Sequence, residues 1–293
     1  FFIPYFEIVM FWQTSRFRID LSTPQIMGIV NVTPDSFSDG GRYSNTRNAI
    51  AHCEQLIQDG AHILDIGGES SRPGAHIVPL EEELARVLPI VRHAVTLGVP
   101  VSVDTYKPEV MQAVLDCGAD IINDIWALRQ GHAAEVISRH PSCGVCLMHM
   151  HGEPQTMQLS PMPDINSNGE DIVTQVLLFL QHEIKNLQAL GVDWERICID
   201  PGIGFGKTVT QNFTLLARQR RLEEWGCGIL AGWSRKSSLV AVTGAASVAE
   251  RLVPSVTAAV LAVQNGAHIV RVHDVRETAQ AFQVLAAMQQ QSL

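Results

Sequence analysis

The sequence predicts a (β/α)8 TIM barrel folded as a single domain. Three observations carry that prediction. Eight short apolar runs are spaced along the 293 residues, and each is followed by a segment with helical periodicity. The runs lack apolar–polar alternation, as strands buried on both faces of a parallel sheet do. A helix-ending Gly precedes five of them, and Gly suits the left-handed position just past a helix. Eight alternating units in so short a chain point to a closed barrel, with an open doubly wound sheet as the alternative.

The elements follow in order. Ile26–Val32 is the first run, and Ala49, Ile50, Cys53, Leu56 and Ile57 form the helical face after it. Asp59-Gly60-Ala61-His62 turns the chain into Ile63–Ile66. Leu97-Gly98-Val99 leads to Val101–Asp104, and Val110, Ala113, Val114 and Cys117 make the next face. Cys117-Gly118-Ala119 leads to Ile121–Asp124. Val145–Met148 precedes a long face of Val173, Val176, Leu177, Leu180, Ile184 and Leu187. Gly191-Val192 introduces Ile197–Asp200. Ile229–Ala231 and, after Gly266-Ala267-His268, Ile269–Val272 complete the set. No internal linker is evident. Residues 1–24 read as an N-terminal extension and lead-in, and 25–293 as the barrel.

The chain has 21 Lys and Arg against 30 Asp and Glu, a formal net charge of −9. With no basic tract, it is not a general nucleic-acid or anionic-membrane binder, so any phosphate must be held locally. Residues 1–12 are apolar but too short to cross a bilayer, and they contain Pro4 and Glu7. No basic stretch or cleavage site marks a secretory signal. Met10 is a candidate natural start, with residues 1–9 an upstream extension. The six cysteines are scattered, five within apolar patterns, and read as reduced buried thiols of a cytoplasmic protein. Cys143-Gly-Val-Cys146 has no second pair to complete a zinc site.

On either fold, ligands bind beyond the C-terminal ends of the strands. The polar residues there are Asn31, Asp65, Asp104, Asn123, His149, Asp200, Ser234, Arg271 and His273. Asp65, followed by Gly67-Gly68, reads as structural, since Asp also starts turns. Asp200-Pro-Gly-Ile-Gly-Phe-Gly-Lys207 fails the Walker spacing, because Gly202 to Gly206 leaves three residues where four are needed. It reads instead as a tight turn that brings backbone close to a flat ligand, with Phe205 available for stacking. His149-Met-His151 suggests a metal hydrolase, but further ligands are missing, and hydrogen-bonded loop histidines are the simpler reading. Two long Gly/Pro-punctuated segments, Val32–Gly41 and Gly68–Ala75, have the character of functional loops. Arg271 and His273 alternate on the last strand, which puts them on one face about 7 Å apart.

Together these segments resemble the dihydropteroate synthase family of pterin-binding enzymes. The resemblance rests on Met27-Gly-Ile-Val-Asn-Val-Thr-Pro-Asp-Ser-Phe-Ser-Asp-Gly-Gly41, Asp65-Ile-Gly-Gly-Glu-Ser-Ser-Arg-Pro-Gly74, Ser102-Val-Asp-Thr105, Ile122-Asn-Asp124, Leu147-Met-His-Met150, Asp200–Lys207, Ser234-Arg-Lys236 and Arg271-Val-His273. It implies a barrel, often dimeric. That barrel joins 6-hydroxymethyl-7,8-dihydropterin diphosphate to 4-aminobenzoate, releasing pyrophosphate, with Mg²⁺, in folate synthesis. It implies that Asp200 takes the N–C–NH₂ edge of the pterin, that Asp104 and Asn123 read other ring atoms, and that Lys236 donates to the ring carbonyl and nitrogen. Met148, Gly204 and Phe205 would contact the ring. Arg271 and His273 would face the diphosphate, with Asn31 at the metal. Phe37, Ser71, Arg72 and Pro73 would form the aminobenzoate pocket beside Gly232, with Lys236 near the ring and the Ser234 amide on the carboxylate. Asp104, Lys236, Arg271 and His273 are the expected catalytic set, along an SN1-like path. Family members often carry Thr at the place of Ser71 and a smaller residue at that of Trp233. Sulfonamides are the expected competitors of aminobenzoate. The rival readings are a corrinoid-linked pterin methyltransferase module, a non-catalytic pterin-binding homologue and the metal hydrolase.

Overall fold

The apolar runs become strands within one residue of their expected limits. This computed structural model describes residues 10–32, 42–70 and 74–291, with side chains in the first helix described from residue 46. The described chain begins with an antiparallel hairpin, β1 (Phe11–Gln13) and β2 (Arg18–Asp20). Eight further strands follow: β3 (Gln25–Asn31), β4 (Ile63–Gly67), β5 (Val101–Asp104), β6 (Ile121–Asp124), β7 (Gly144–Met148), β8 (Ile197–Asp200), β9 (Gly228–Ala231) and β10 (Ile269–Val272). They pair in parallel and close in the order β10-β3-β4-β5-β6-β7-β8-β9, so the barrel holds and the open sheet does not.

Helices α1 (Arg42–Gln58), α2 (Leu80–Ala94), α3 (Pro108–Asp116), α4 (Ala133–Arg139), α5 (Ile172–Ala189), α6 (Val209–Ala217), α7 (Ser237–Thr243), α8 (Leu252–Gln264) and α9 (Val275–Gln289) follow the barrel strands, with α7 and α8 both between β9 and β10. Local chemistry sets their ends. Asp171 caps α5 by accepting from the Thr174 amide, and Thr208 and Gln211 form a reciprocal box at the start of α6. Pro108 opens α3, where its missing N–H costs nothing.

Strand parity separates two cores. Val30, Leu64, Ile66, Val103, Ile122, Leu147, Ile199, Ile229 and Val270 point outward and pack with the helices. Met27, Ile63, Ile121, Cys146, Cys198, Leu230 and Ile269 point inward and form the barrel floor, together with Trp12, Ile19 and Leu21 from the lead-in. The hairpin therefore plugs the N-terminal end of the barrel. Trp12 is 1% exposed, and its Nε1 donates to the Arg196 carbonyl at 2.9 Å. Gly144 makes room for it: a Cβ there would lie 3.1 Å from Trp12 Nε1 and 3.2 Å from the Gln13 carbonyl oxygen. Arg16 ties the plug down by pairing with buried Asp120 at 2.6 Å.

The recurring Gly-Ala unit has a physical reason. The residue after each Gly-Ala pair accepts the N–H of a residue at or near the start of a neighbouring strand. His62 Nδ1 takes the Ile26 amide at 3.1 Å, Asp120 Oδ2 the Val101 amide at 2.9 Å and His268 Nδ1 the Ile229 amide at 3.1 Å. Burial lowers the pKa of both histidines, which favours the neutral form that can accept.

Trp12→Ala is expected to cost about 3–5 kcal/mol, as for other buried aromatic truncations, read from the denaturant midpoint. An unchanged midpoint would show that the hairpin closes nothing.

Candidate functional site

The alternation that places the floor residues also builds the mouth. Two places further along the same inward parity stand Asp65, Asn123, Met148, Asp200 and Arg271, and Asp104 shares it on β5. Register sets their neighbours. Asp104 lies opposite Gly67 and Asn123, and Met148 lies opposite Asp200.

Asp65 joins this ring together. Arg271 Nε donates to Asp65 Oδ2 at 2.6 Å, and Asn123 Nδ2 donates to the same oxygen at 3.3 Å. Arg271 Nη2 donates to Asp104 Oδ2 at 2.8 Å. The sequence reading treats Asp65 as structural and pairs Arg271 with His273, facing the diphosphate. Here Asp65 is 0% exposed inside the mouth, and two Arg271 donors are engaged by carboxylates. The reason is desolvation: Asp65 is sealed from water and Arg271 is half-buried, so neither charge would be tolerated there without the other. Burial opposes the Arg271 charge, but Asp65 and Asp104 override it and raise the pKa. Burial pushes Asp104 up to about 7 against the pull of Arg271, with Asp65 adding to the rise.

Across the mouth, Asp200 is 7% exposed and its Oδ1 accepts the Gly202 amide at 2.7 Å. Burial raises its pKa, while the Gly202 N–H and the charges of Lys236, Lys207 and Arg271 work the other way. Lys236 Nζ lies 4.2 Å from the centroid of the Phe205 ring, within cation–π reach. Phe205, Met148, Ile125, Met150 and Met157 form an apolar wall, with Tyr106 and Trp126 against it. A cavity of about 190 Å³ runs from Asp104 past Ile125 and Trp126 to Glu69. Gly204 donates its N–H to Asn212 Oδ1 at 2.8 Å in the β8–α6 loop.

The β9–α7 loop carries Ser234 and Lys236. Arg235 adopts φ 60° between them, held by a 2.6 Å ion pair to Asp274 and by Ser255 Oγ accepting its amide at 2.9 Å. Ser234 Oγ accepts the His273 backbone N–H at 3.1 Å and lies 2.9 Å from Nδ1. The hydroxyl proton is thus left for Nδ1, which fits the Nε2–H tautomer. A Cβ on Gly232 would meet nothing within 4 Å, so the backbone borders open space. Trp233 points away from the mouth. It is buried in the outer core with its ring centroid 5.3 Å from that of Phe213.

Asn31 ends β3, half-buried, opposite Gly67. Among the described residues no group of three His, Cys, Asp or Glu side chains could hold a metal. One amide oxygen fits an ion such as Mg²⁺ that keeps water and substrate phosphate as its main ligands. The His149 ring meets Phe179 of α5 edge-on with centroids 4.9 Å apart, and its buried Nδ1 has no hydrogen-bond partner among the described residues, so this histidine packs against an aromatic ring rather than being the hydrogen-bonded loop residue expected. Phe37, Ser71, Arg72 and Pro73 lie outside the described residues. The structure adds three residues that the sequence reading gave no site role: Asp65, Lys207 and Arg235. Inward parity was the available signal for Asp65. The other two act through backbone carbonyls and a distant Asp, which leave no local pattern.

A site-resolved carboxyl NMR titration is expected to place the Asp104 midpoint near 7, and Arg271→Lys should move it if the fork loses its grip. A midpoint near the unperturbed value of about 4 would contradict the burial described.

A family model described as "Pterin binding enzyme" matches residues 27–273. The dihydropteroate synthase of Neisseria meningitidis serogroup B is 48% identical over 282 residues, covering 94% of this chain and 97% of its own. The solved Xanthomonas albilineans dihydropteroate synthase with 4-aminobenzoic acid superposes with a TM-score of 0.86 at 46% identity, covering 93% of this chain and 95% of that one. The Burkholderia cenocepacia enzyme complexed with 7,8-dihydropteroate gives 0.86 at 45% identity, covering 97% and 98%.

Proposed function

The chain belongs to the pterin-binding enzyme family, and on that premise we propose that its barrel mouth performs the reaction of a dihydropteroate synthase. This transferase moves the dihydropterin-methyl group of 6-hydroxymethyl-7,8-dihydropterin diphosphate to 4-aminobenzoate in folate biosynthesis, releasing pyrophosphate. Its relatives with bound 4-aminobenzoic acid and 7,8-dihydropteroate support the two substrates. The observation that carries the reading is the single Asp65 oxygen shared by Asn123 and Arg271, which joins an amide and carboxylate slot to a cation.

Asp200 accepts the paired N–H groups of the pterin edge, each charge-assisted bond contributing about 1.5–3 kcal/mol. Asn123 and Asp104 read other polar ring atoms, and Lys236 donates to the ring carbonyl and nitrogen. Met148, Phe205 and the Gly204 backbone supply flat contact. The methylene C–O bond breaks first, and both electrons leave with pyrophosphate. Arg271 and His273 face the departing charge, where preorganised donors act most strongly. Asn31 would hold Mg²⁺, which supplies charge neutralisation on the diphosphate when bound. Asp104, as a carboxylate, stabilises the delocalised pterin cation. The aromatic amine then forms the C–N bond and releases its proton, so no Ser or Cys nucleophile is needed. Phe37, Ser71, Arg72 and Pro73 receive aminobenzoate together with Lys236, Gly232 and the Ser234 amide.

As the family resemblance implies, we take the assembly to be a homodimer. The free cysteines support a cytoplasmic location. No described helix is long and apolar enough to cross a membrane. A methyltransferase module would have no use for the leaving-group cations, and a non-catalytic homologue would have no use for Lys236.

Pyrophosphate release with both substrates tests the reading. Release is expected to need Mg²⁺, to be inhibited by a sulfonamide competitively with aminobenzoate, and to fall about 100-fold or more in folded Lys236→Ala, the scale of losing one key electrostatic group. No release with both substrates and Mg²⁺ present would overturn it.

A further inference from the structure

The mouth contains a second lysine with a different environment. Lys207 is 2% exposed, and its ammonium donates three hydrogen bonds, all to backbone carbonyls. The acceptors are His149 at 3.2 Å, Gly202 at 2.8 Å and Phe205 at 3.2 Å. An ammonium has three donors, and all three are used. The acceptors come from two loops, β7–α5 and β8–α6, which meet too closely for side chains. A Cβ on Gly202, whose φ is +70°, would lie 1.8 Å from the His149 carbonyl oxygen.

Each clamped carbonyl belongs to a peptide beside a residue assigned to the pterin. Gly202 donates its N–H to Asp200 Oδ1. Phe205 lies under the Lys236 ammonium. His149 follows Met148, which stands opposite Asp200 in the sheet. We infer that Lys207 is a positioning residue for pterin recognition: it never touches the substrate, but its three bonds set the loop geometry that aims Asp200 and Lys236. Burial lowers the Lys207 pKa to about 7, and Asp200 opposes the fall while Lys236 adds to it. His149 and His151 also face it across the loops.

This inference rests on the pterin reading above, and its test separates the two. Lys207→Met keeps the bulk and removes the donors. In the folded variant the KM for dihydropterin diphosphate is expected to rise at least 10-fold, while the KM for aminobenzoate stays within 2-fold. Lys207→Gln, which restores two donors, should recover part of the loss. A pterin KM within 2-fold of the parent in Lys207→Met would overturn the inference, and so would an equal rise for both substrates. If the parent makes no dihydropteroate, the proposed function falls. Binding of 6-hydroxymethylpterin by calorimetry then decides the Lys207 inference by the same 10-fold criterion. If neither variant folds, side-chain ¹⁵N NMR of Lys207 in the parent protein decides: slowly exchanging Nζ protons coupled to the His149, Gly202 and Phe205 carbonyls support the clamp, and a freely exchanging Nζ without such couplings contradicts it.

Discussion

A carboxylate sealed inside a barrel has to be paired, and Asp65 is paired twice through one oxygen. Charge burial of this kind costs several kcal/mol unless hydrogen bonds answer it. Arg271 and Asn123 answer it from β10 and β6, strands separated by β3, β4 and β5 in the closed order. The pairing fixes the Arg271 guanidinium, and the guanidinium in turn holds Asp104. The amide proposed to read a flat heterocycle and the cation proposed to face the diphosphate are therefore parts of one hydrogen-bonded unit. Neither can shift without exposing the other's partner, which is the preorganisation that electrostatic catalysis requires.

The rest of the fold serves that unit by holding strands in register. The hairpin bearing Trp12 fills the floor, so the barrel does not depend on larger side chains at Cys146, Cys198 or Gly228. His62, Asp120 and His268 accept N–H groups at or near strand starts, where a parallel sheet leaves them without a ladder partner. The other end of each strand is free to carry polar residues. Stability thus concentrates at the floor and chemistry at the mouth, the division usual in this architecture.

Most of the barrel was legible in sequence because parallel strands buried on both faces leave continuous apolar runs, as in Ile121–Asp124 and Ile197–Asp200, where every residue is buried. The polar residues ending those runs gave most of the mouth. The hairpin was not legible. Residues 11–20 are short, and the partners of Trp12 lie as far away as Arg196, a separation no local pattern records. Asp65 was read as a turn former because two glycines follow it closely. Its role depends on Arg271, 206 residues away. Lys207 was read only as the end of a tight turn, because its bonds go to backbone carbonyls, which every sequence has. Trp233, an unusual residue beside the pocket by sequence, turns into the helix layer against Phe213.

The account stands on Asn123 and Arg271 acting as a unit through Asp65. A double-mutant cycle with Asn123→Ala and Arg271→Lys, read in kcat/KM for the pterin diphosphate, measures that directly. Groups sharing a buried acceptor should couple by about 1 kcal/mol or more. Additive effects within about 0.3 kcal/mol, as for independent distant sites, would contradict it.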